Sequence, residues 1–123
     1  MFDFITNLSN EQRAGFDFQS QVKDESLTET QNGIQRKVIR KISNTYKLTL
    51  QGLSINDVKE FVRLLTEAEQ QDKRLNIPVN LFSGYLGKAT SILDVNFNSD
   101  DFRAVEDEYN WDVTLKVVEV IIP

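Results

Sequence analysis

Cysteine and histidine are both absent from this chain of 123 residues. Without cysteine, the protein has neither a disulfide framework nor thiolate metal ligands. Without histidine, it lacks the side chain most often used for acid–base chemistry near neutral pH and the commonest transition-metal ligand. Chemistry by carboxylates alone stays open. We nevertheless predict a protein that is not an enzyme, with no catalytic, cofactor-binding or metal-binding residues and no small-molecule substrate.

Long apolar runs and an excess of basic residues are also missing. No apolar run approaches the roughly 20 residues of a membrane span. Residues 1–5 lack the basic region that begins a secretory signal. We therefore expect a soluble protein that is synthesised inside the cell, with no membrane partner. The net charge of -5 argues against general affinity for nucleic acid, whose phosphates attract basic surfaces.

The clearest periodic stretch is residues 53–70. Ser54 is a good N-cap, and Asp57 lies three residues later, where it can complete a capping box. Leu53 and Val58 have the spacing of a hydrophobic staple. Apolar residues then recur at helical spacing: Val58, Phe61, Val62, Leu65 and Ala68. The pattern predicts one amphipathic helix, over about residues 54–71, with this stripe buried.

The chain before the helix reads as strands. Residues 1–14 form an N-terminal segment or arm, which packs on the domain's own core or docks on a neighbouring subunit. Residues 15–123 form a single β-rich domain, with a first strand at residues 16–22. Asn32 and Gly33 predict a hairpin turn, because both residues accept the positive φ of a type I′ turn.

The second half of the hairpin alternates less regularly. Residues 34–42 predict a strand that lies at an edge or carries a bulge. Residues 43–45 are a possible turn. Residues 46–51 then alternate cleanly, which places three apolar side chains on the core face: Tyr46, Leu48 and Leu50.

Further strands are predicted after the helix. Residues 77–81 begin a strand that Ser83 and Gly84 close, and Gly87 marks another turn. Residues 90–97 form the next strand, and the side chains expected to point inward are Leu93, Val95 and Phe97.

The acidic stretch 98–110 reads as a long loop, which Phe102 and Val105 interrupt and could hold as a helical turn. Residues 111–122 form the most β-prone segment, and their alternation predicts one shared face for Trp111, Val113, Leu115 and Val117. There, Val118 shifts the phase of alternation, which suggests a bulge or burial on both faces.

The order of strands, one helix and more strands contains no βαβ alternation. It predicts an α+β fold, a mostly antiparallel β-sandwich or small barrel with one flanking α-helix.

Two carboxylate-based sites can be imagined in the acidic stretch. Residues 94–98 have the D-x-N-x-N start of a calcium loop, but Ser99 replaces the turn glycine and Val105 stands where a bidentate Glu is required. Paired carboxylates could also hydrolyse a glycoside, although such a cluster is more often a solvated surface. We predict no bound cofactor.

Charge is unevenly distributed along the chain. A basic segment contains Arg36, Lys37, Arg40, Lys41 and Lys47, whereas the acids gather at Asp100, Asp101, Glu106, Asp107, Glu108 and Asp112. These charges could pair within the chain or remain solvated. They could also form a contact between subunits that closes into a ring. The residues of that possible interface are Arg36, Lys37, Arg40, Lys41, Asp100, Asp101, Glu106, Asp107 and Glu108. Nucleic acid binding by the basic segment is less favoured, since no aromatic platform is interleaved with it.

The order of these features, over roughly residues 34–122, resembles small tail proteins of long-tailed bacteriophages, including minor tail, tail-tip and distal-tail or tube-like modules. The resemblance rests on the strand at 46–50, the helix that opens at Gly52-Leu53-Ser54, the β segment at 78–82 and the strand at 111–115. In that pattern a glycine follows the helix, and none is present in residues 70–76. The resemblance implies a non-catalytic structural subunit of a virion tail or baseplate, which forms a homo-oligomeric ring and binds other tail proteins. The alternative is a small soluble protein-binding or adaptor domain.

Overall fold

A computed structural model of the chain describes residues 3–29, 33, 35–82, 92–108 and 110–122. The helices are α1 (Asp3–Thr6) and α2 (Ile55–Gln70). The strands are β1 (Arg13–Glu29), β2 (Gln35–Leu53), β3 (Leu75–Ile77), β4 (Leu93–Phe97), β5 (Arg103–Asp107) and β6 (Asn110–Ile121). Single 3₁₀ turns occupy Val79–Leu81 and Ser99–Asp101.

The strands form one open sheet in the order β1-β2-β6-β4-β3, and β5 lies beside β4 along the same edge of β6. Every pairing between described strands is antiparallel. Helix α2 contributes its apolar stripe to the same core as the sheet. The predicted α+β class, a mostly antiparallel and sandwich-like fold with a flanking helix, is confirmed.

Helix α2 begins where its capping residues predict. Ser54 Oγ accepts a hydrogen bond from the Asp57 backbone N–H at 3.2 Å, and Asp57 Oδ2 accepts one from the Ser54 N–H at 3.4 Å. The buried stripe is narrower than predicted, since Val58, Phe61 and Leu65 are buried but Val62 is 41% exposed. Val62 lies about 100° around the helix from Phe61, so it points past the sheet and not into it.

The helix ends without a glycine because an aspartate takes the left-handed position. Asp72 has φ of 52°. The Lys73 N–H donates to the Ala68 carbonyl at 2.9 Å and the Asp72 N–H to the Glu69 carbonyl at 3.1 Å, which is the Schellman pattern. Aspartate is one of the few non-glycine residues that adopt this conformation.

The core of the sheet lies between β2 and β6. The predicted inward faces of both strands are confirmed, and they pair directly as Tyr46↔Val117, Leu48↔Leu115 and Leu50↔Val113. The predicted turn at residues 43–45 is wrong, because these residues continue β2 and pair with both β1 and β6. No register shift occurs at Val118, so the change of phase reflects a half-buried strand end and not a bulge.

The hairpin of β1 and β2 is confirmed and is much longer than its sequence pattern indicates. It is paired from Arg13↔Leu50 to Glu29↔Gln35. Gly33 has the positive φ that the turn requires, at 74°, whereas Asn32 lies outside the described residues. The predicted bulge is present, since the register shift opposite Asp24 and Glu25 leaves Arg40 without a cross-strand partner.

The chain after the helix departs from the strand predicted at residues 77–81. Strand β3 stops at Ile77 because Pro78 has no N–H to continue the ladder, and a 3₁₀ turn follows in place of the predicted strand through Leu81. Strand β4 is confirmed, with Leu93 and Val95 buried and Phe97 half-buried. The predicted turns at Ser83, Gly84 and Gly87, and the predicted start of the strand at residues 90–91, lie outside the described residues.

The predicted loop at residues 98–110 is wrong, since it contains β5, which forms a hairpin with β6. Glu108 turns this hairpin with φ of 50°. Phe102 does attach the segment to the core, with its ring 5.5 Å from that of Phe61, but Val105 is 65% exposed. The acids of β5 concealed its period, because charged residues are depleted in typical strands.

The N-terminal segment packs on the chain's own core. Ile5 is fully buried, and the Phe4 ring lies 5.0 Å from that of Phe61. The buried Arg13 guanidinium donates hydrogen bonds to the backbone carbonyls of Ile5, at 3.1 Å, and Leu8. It also donates to the Asn10 side chain and, at 3.4 Å, to the Leu81 carbonyl. One side chain thereby attaches the segment to the sheet.

Candidate interaction surface

The β1–β2 hairpin extends beyond the rest of the sheet. Strand β6 accompanies β2 only as far as the pair Ile42↔Ile121. From this pair outward, residues 23–29 of β1 pair only with residues 35–42 of β2, and residues 35–41 of β2 pair with no described strand other than β1. We call these two segments the ribbon. At about 3.3 Å per residue, its seven residues a side extend roughly 23 Å.

A buried polar cluster marks the base of the ribbon. Asn44 is buried on the core face of β2, one step beyond Tyr46 on the same face. The Gln21 amide donates to Asn44 Oδ1 at 2.8 Å, and Asn44 Nδ2 donates to Glu119 Oε1 at 3.1 Å. The Tyr46 hydroxyl donates to the same Glu119 oxygen at 3.5 Å. Hydrogen bonds across three strands thus fix their register where the apolar core ends.

The hairpin carries apolar side chains that the fold leaves in solvent. The exposed fractions are 58% for Phe18, 64% for Val22, 67% for Leu27 and 43% for Val38. A two-stranded ribbon has marginal stability in water unless other groups cover it. Such exposure therefore marks a surface that gains from a partner.

The outer edge of β1 is open along the whole strand. Among the described strands only β2 pairs with β1, so one row of backbone N–H and C=O groups over 17 residues faces outward. An open edge of this length is a template for an added strand. Register shifts between Arg13 and Gly15 and between Phe18 and Ser20 each add a residue to β1 and interrupt this edge twice.

The predicted basic residues lie on the ribbon. Arg40 and Lys41 are exposed there. Arg36 and Lys37 belong to the same part of β2, and their side chains lie outside the described part of the structure. Lys47 lies further along β2, beside the core.

The predicted acidic residues lie far from the ribbon within one chain. Glu106 is exposed on β5 opposite Trp111, which in turn pairs with Leu53 at the opposite end of β2. Asp107 follows in β5, with its side chain outside the described part, and Glu108 is exposed in the turn. From residue 42 to residue 53 an extended strand covers about 36 Å. The ribbon and this acidic turn can therefore meet only between molecules.

A different pair of acids faces part of the basic segment inside the chain. Asp100 and Asp101, both exposed in a 3₁₀ turn, line a shallow depression with Lys47, Arg103 and Lys116. Lys47 and Lys116 are direct cross-strand partners, an unfavourable like-charge pair, and the two carboxylates line the same depression. The structure thus brings Lys47 towards Asp100 and Asp101 and leaves Arg40 and Lys41 apart from them.

The outer face of α2 holds its charges in local pairs. Arg63 forms ion pairs with Glu60 at 2.5 Å and Glu67 at 3.0 Å. The hydrogen bond from Arg63 lowers the pKa of Glu60 and raises that of Arg63. These exposed pairs satisfy one another, so the outer face of α2 offers little unpaired charge to a partner.

Two observations bear on chemistry and membranes. Within residues 3–29, 33, 35–82, 92–108 and 110–122, no three Asp or Glu residues converge as metal ligands. In the same part of the chain, no helix is both long enough and apolar enough to cross a membrane.

Sequence reasoning missed the ribbon and the polar cluster at its base. The ribbon depends on the pairing of β1 with β2 along their whole length, which no local pattern encodes. The sequence did contain a sign of Asn44. It alternates in step with Tyr46, Leu48 and Leu50, which places a polar group on the core face.

Comparisons with protein-family models, with curated protein sequences and with solved structures found no match to this chain.

Proposed function

We propose that the protein is a structural subunit of a phage or prophage tail or baseplate, which assembles with copies of itself into a ring and binds neighbouring tail proteins. The observation that carries the proposal is the outer edge of β1, which pairs with no described strand other than β2 and lies in a hairpin that bears exposed apolar side chains. A ribbon with an open edge and exposed apolar side chains is suited to assembly, because these side chains do not contribute to the core of their own chain.

The phage context rests on the sequence resemblance of residues 34–122. The strand, capped helix and terminal strand that carry this resemblance occupy β2, α2 and β6. On this proposal the protein resides in the virion tail and performs no catalysis.

An adaptor domain that binds one partner through the open edge of β1 is the second candidate. The same edge favours it, because strand addition does not require a second copy of the chain. The two functions differ in what the isolated chain does at high concentration.

Light scattering across a wide concentration range, combined with electron microscopy of negatively stained particles, tests the proposal. We expect a mass that rises to a fixed multiple of the monomer and ring-shaped particles of uniform diameter. A chain that remains monomeric at the highest concentration and forms no rings contradicts the assembly function and favours the adaptor.

A further inference from the structure

We propose that two copies of this chain pair edge to edge through β1, with the two strands antiparallel about a two-fold axis. The contact lies within residues 20–29, which we call the regular edge. The inference rests on the proposed self-assembly and assigns one of its interfaces. Because a two-fold contact closes with two copies, a ring that contains it is built from dimers and has an even number of subunits.

The regular edge lacks the bulges that protect the first part of β1 against strand addition. Native proteins use bulges, among other devices, to keep an exposed edge strand from pairing with another chain. Both extra residues of β1 lie before residue 20. At the later register shift of the hairpin, the extra residue is Arg40 of β2. The regular edge therefore continues without interruption, and its outer backbone groups pair with no described strand.

A second copy of the chain supplies a matching strand. Among the described strands, the opposite edge of the sheet is β3, which has three residues and ends before Pro78. That edge is too short to cover the regular edge in a head-to-tail contact. The regular edge of another copy has the same length, and a two-fold rotation lays it antiparallel to the first.

The antiparallel arrangement keeps the cores of the two copies apart. Residues 13–19 of β1 lie beside the core, where β2 also pairs with β6. When the two regular edges pair, residues 13–19 of each copy extend past opposite ends of the contact. At about 3.3 Å per residue the paired stretch is roughly 30 Å long, which separates the two cores. Neither copy then occupies the space of a strand that the other already pairs.

The pairing covers apolar side chains on both faces of the joined sheet. Val22 and Leu27 both lie in the regular edge and are mostly exposed. Because β1 has no bulge between them, they point to opposite faces. Across an antiparallel contact each side chain gains opposite and diagonal neighbours, and the two-fold axis makes every such contact occur twice. The contact therefore removes from water apolar surface that the single chain leaves exposed.

The acids of β1 do not prevent two regular edges from meeting. Asp24 lies opposite Lys41 within the hairpin. Residues 35–41 contain three further basic residues, and Lys23 belongs to the regular edge itself. Negative charge is thus offset within each copy. The contact then depends on backbone hydrogen bonds and apolar burial, and not on attraction between strands of opposite sign.

Cysteine scanning tests the geometry, since the chain has no cysteine of its own. Single-cysteine variants at each position from 20 to 27 are oxidised, and covalent dimers are measured by electrophoresis. A residue at the two-fold axis lies opposite its own copy, within the reach of a disulfide. We expect the yield of dimer to peak at one position and to fall on both sides of it. In mixtures of two variants, cross-links should form when the two positions are equally far from the axis on opposite sides.

The matched control for the scan is V105C. Val105 is an exposed valine of a strand, as Val22 is, with 65% of its surface exposed against 64%, but it lies on β5. We expect it to give no covalent dimer under the same oxidation. Equal yields at Val105 and at every position of the regular edge would show that random collisions join the copies, and the inference would be wrong.

Lysine substitutions test the strength of the contact. V22K and L27K, made separately, each place two lysines at the contact, one from each copy. We expect each to lower the apparent association constant of the dimer by about tenfold in analytical ultracentrifugation, because a charge at an edge opposes pairing. V105K adds the same charge away from the contact and should leave association unchanged. Circular dichroism and thermal unfolding check that all three variants remain folded.

The inference and the proposed function fail in different ways. If the unmodified chain forms rings, but no cysteine of β1 cross-links and V22K and L27K associate as it does, the inference fails and the proposed function stands. If dimers cross-link through β1 and no ring forms, the inference holds and the proposed function fails. If the unmodified chain stays monomeric at the highest concentration, both fail.

Discussion

Asn44 Nδ2 lies 3.1 Å from Glu119 Oε1 and joins β2 to β6 at the point where the ribbon leaves the core. Asn44 Oδ1 simultaneously accepts from Gln21 on β1, so one amide connects three strands. A buried amide whose oxygen and nitrogen are both hydrogen-bonded costs little stability. A shift in strand register there would leave these polar groups without partners. The pair therefore sets the register of the strands that carry the ribbon.

The substitution Asn44→Asp should destabilise the fold by about 2 to 3 kcal/mol at pH 7, because it removes the donor and places a second carboxylate beside Glu119. Each carboxylate then raises the folded-state pKa of the other above its unfolded value. The loss should accordingly diminish as the pH falls towards about 4, where a shared proton relieves the repulsion. Urea denaturation at the two pH values measures the change.

The control for this prediction is Glu119→Gln, which keeps the Oε1 acceptor and should cost less than about 1 kcal/mol at either pH. Combining Asn44→Asp with Glu119→Gln should recover most of the loss at pH 7. A deficit that is the same at both pH values would show that packing, and not charge, dominates at this position.

Arg13 should determine whether the N-terminal segment stays on the core. Replacing Arg13 with alanine removes donors to the carbonyls of Ile5, Leu8 and Leu81, and we expect a loss of about 3 kcal/mol. Hydrogen exchange should also accelerate in residues 3–12 before it does in the central strands. The matched control, Arg74→Ala, changes the same residue type at an exposed position and should shift stability by less than about 0.5 kcal/mol. Unchanged exchange in residues 3–12 would contradict the role of Arg13.

Features encoded by neighbouring residues were predictable from the sequence. Helix α2 follows from the cap at Ser54 and Asp57 and from apolar spacing, and each is a local signal. The core faces of β2 and β6 follow in the same way from strict alternation. The helix and the core faces can both be predicted because the spacing of their apolar residues does not depend on what they pack against.

Features encoded by pairing were not predictable. The turn expected at residues 43–45 looked polar, but these residues are held in β2 by strands on both sides. Glu106 is tolerated in β5 because its side chain is exposed to solvent, as is that of its neighbour Val105. The cluster of basic residues could be read from the sequence, whereas its place in a long hairpin depends on the pairing of β2 with β1.

Side chains on the two faces of α2 should respond differently to replacement by alanine. Phe61 is fully buried and contacts the rings of Phe4 and Phe102, so Phe61→Ala should cost about 3 to 5 kcal/mol. Val62→Ala should cost less than about 0.5 kcal/mol, since Val62 is exposed and alanine favours the helix. Comparable losses in denaturant titrations of the two variants would place Val62 in the core and contradict this arrangement of the helix.

Asp72 offers a substitution that should stabilise the protein. Its φ of 52° places a side chain in the left-handed region, where glycine has no steric penalty. Asp72→Gly should therefore raise stability by about 0.5 to 1 kcal/mol, the net of relieved strain and greater freedom in the unfolded chain. Thermal and urea unfolding measure the gain.

The control Lys59→Gly places glycine in the exposed middle of α2, where it should cost about 1 kcal/mol. Opposite signs at the two positions would show that backbone conformation decides the effect, since both changes introduce the same residue. Asp72→Asn should give a smaller gain than glycine, because it removes the charge at the helix C-terminus but keeps a Cβ at positive φ. If asparagine gives the full gain, the penalty at Asp72 is electrostatic, and the left-handed end of the helix carries no strain.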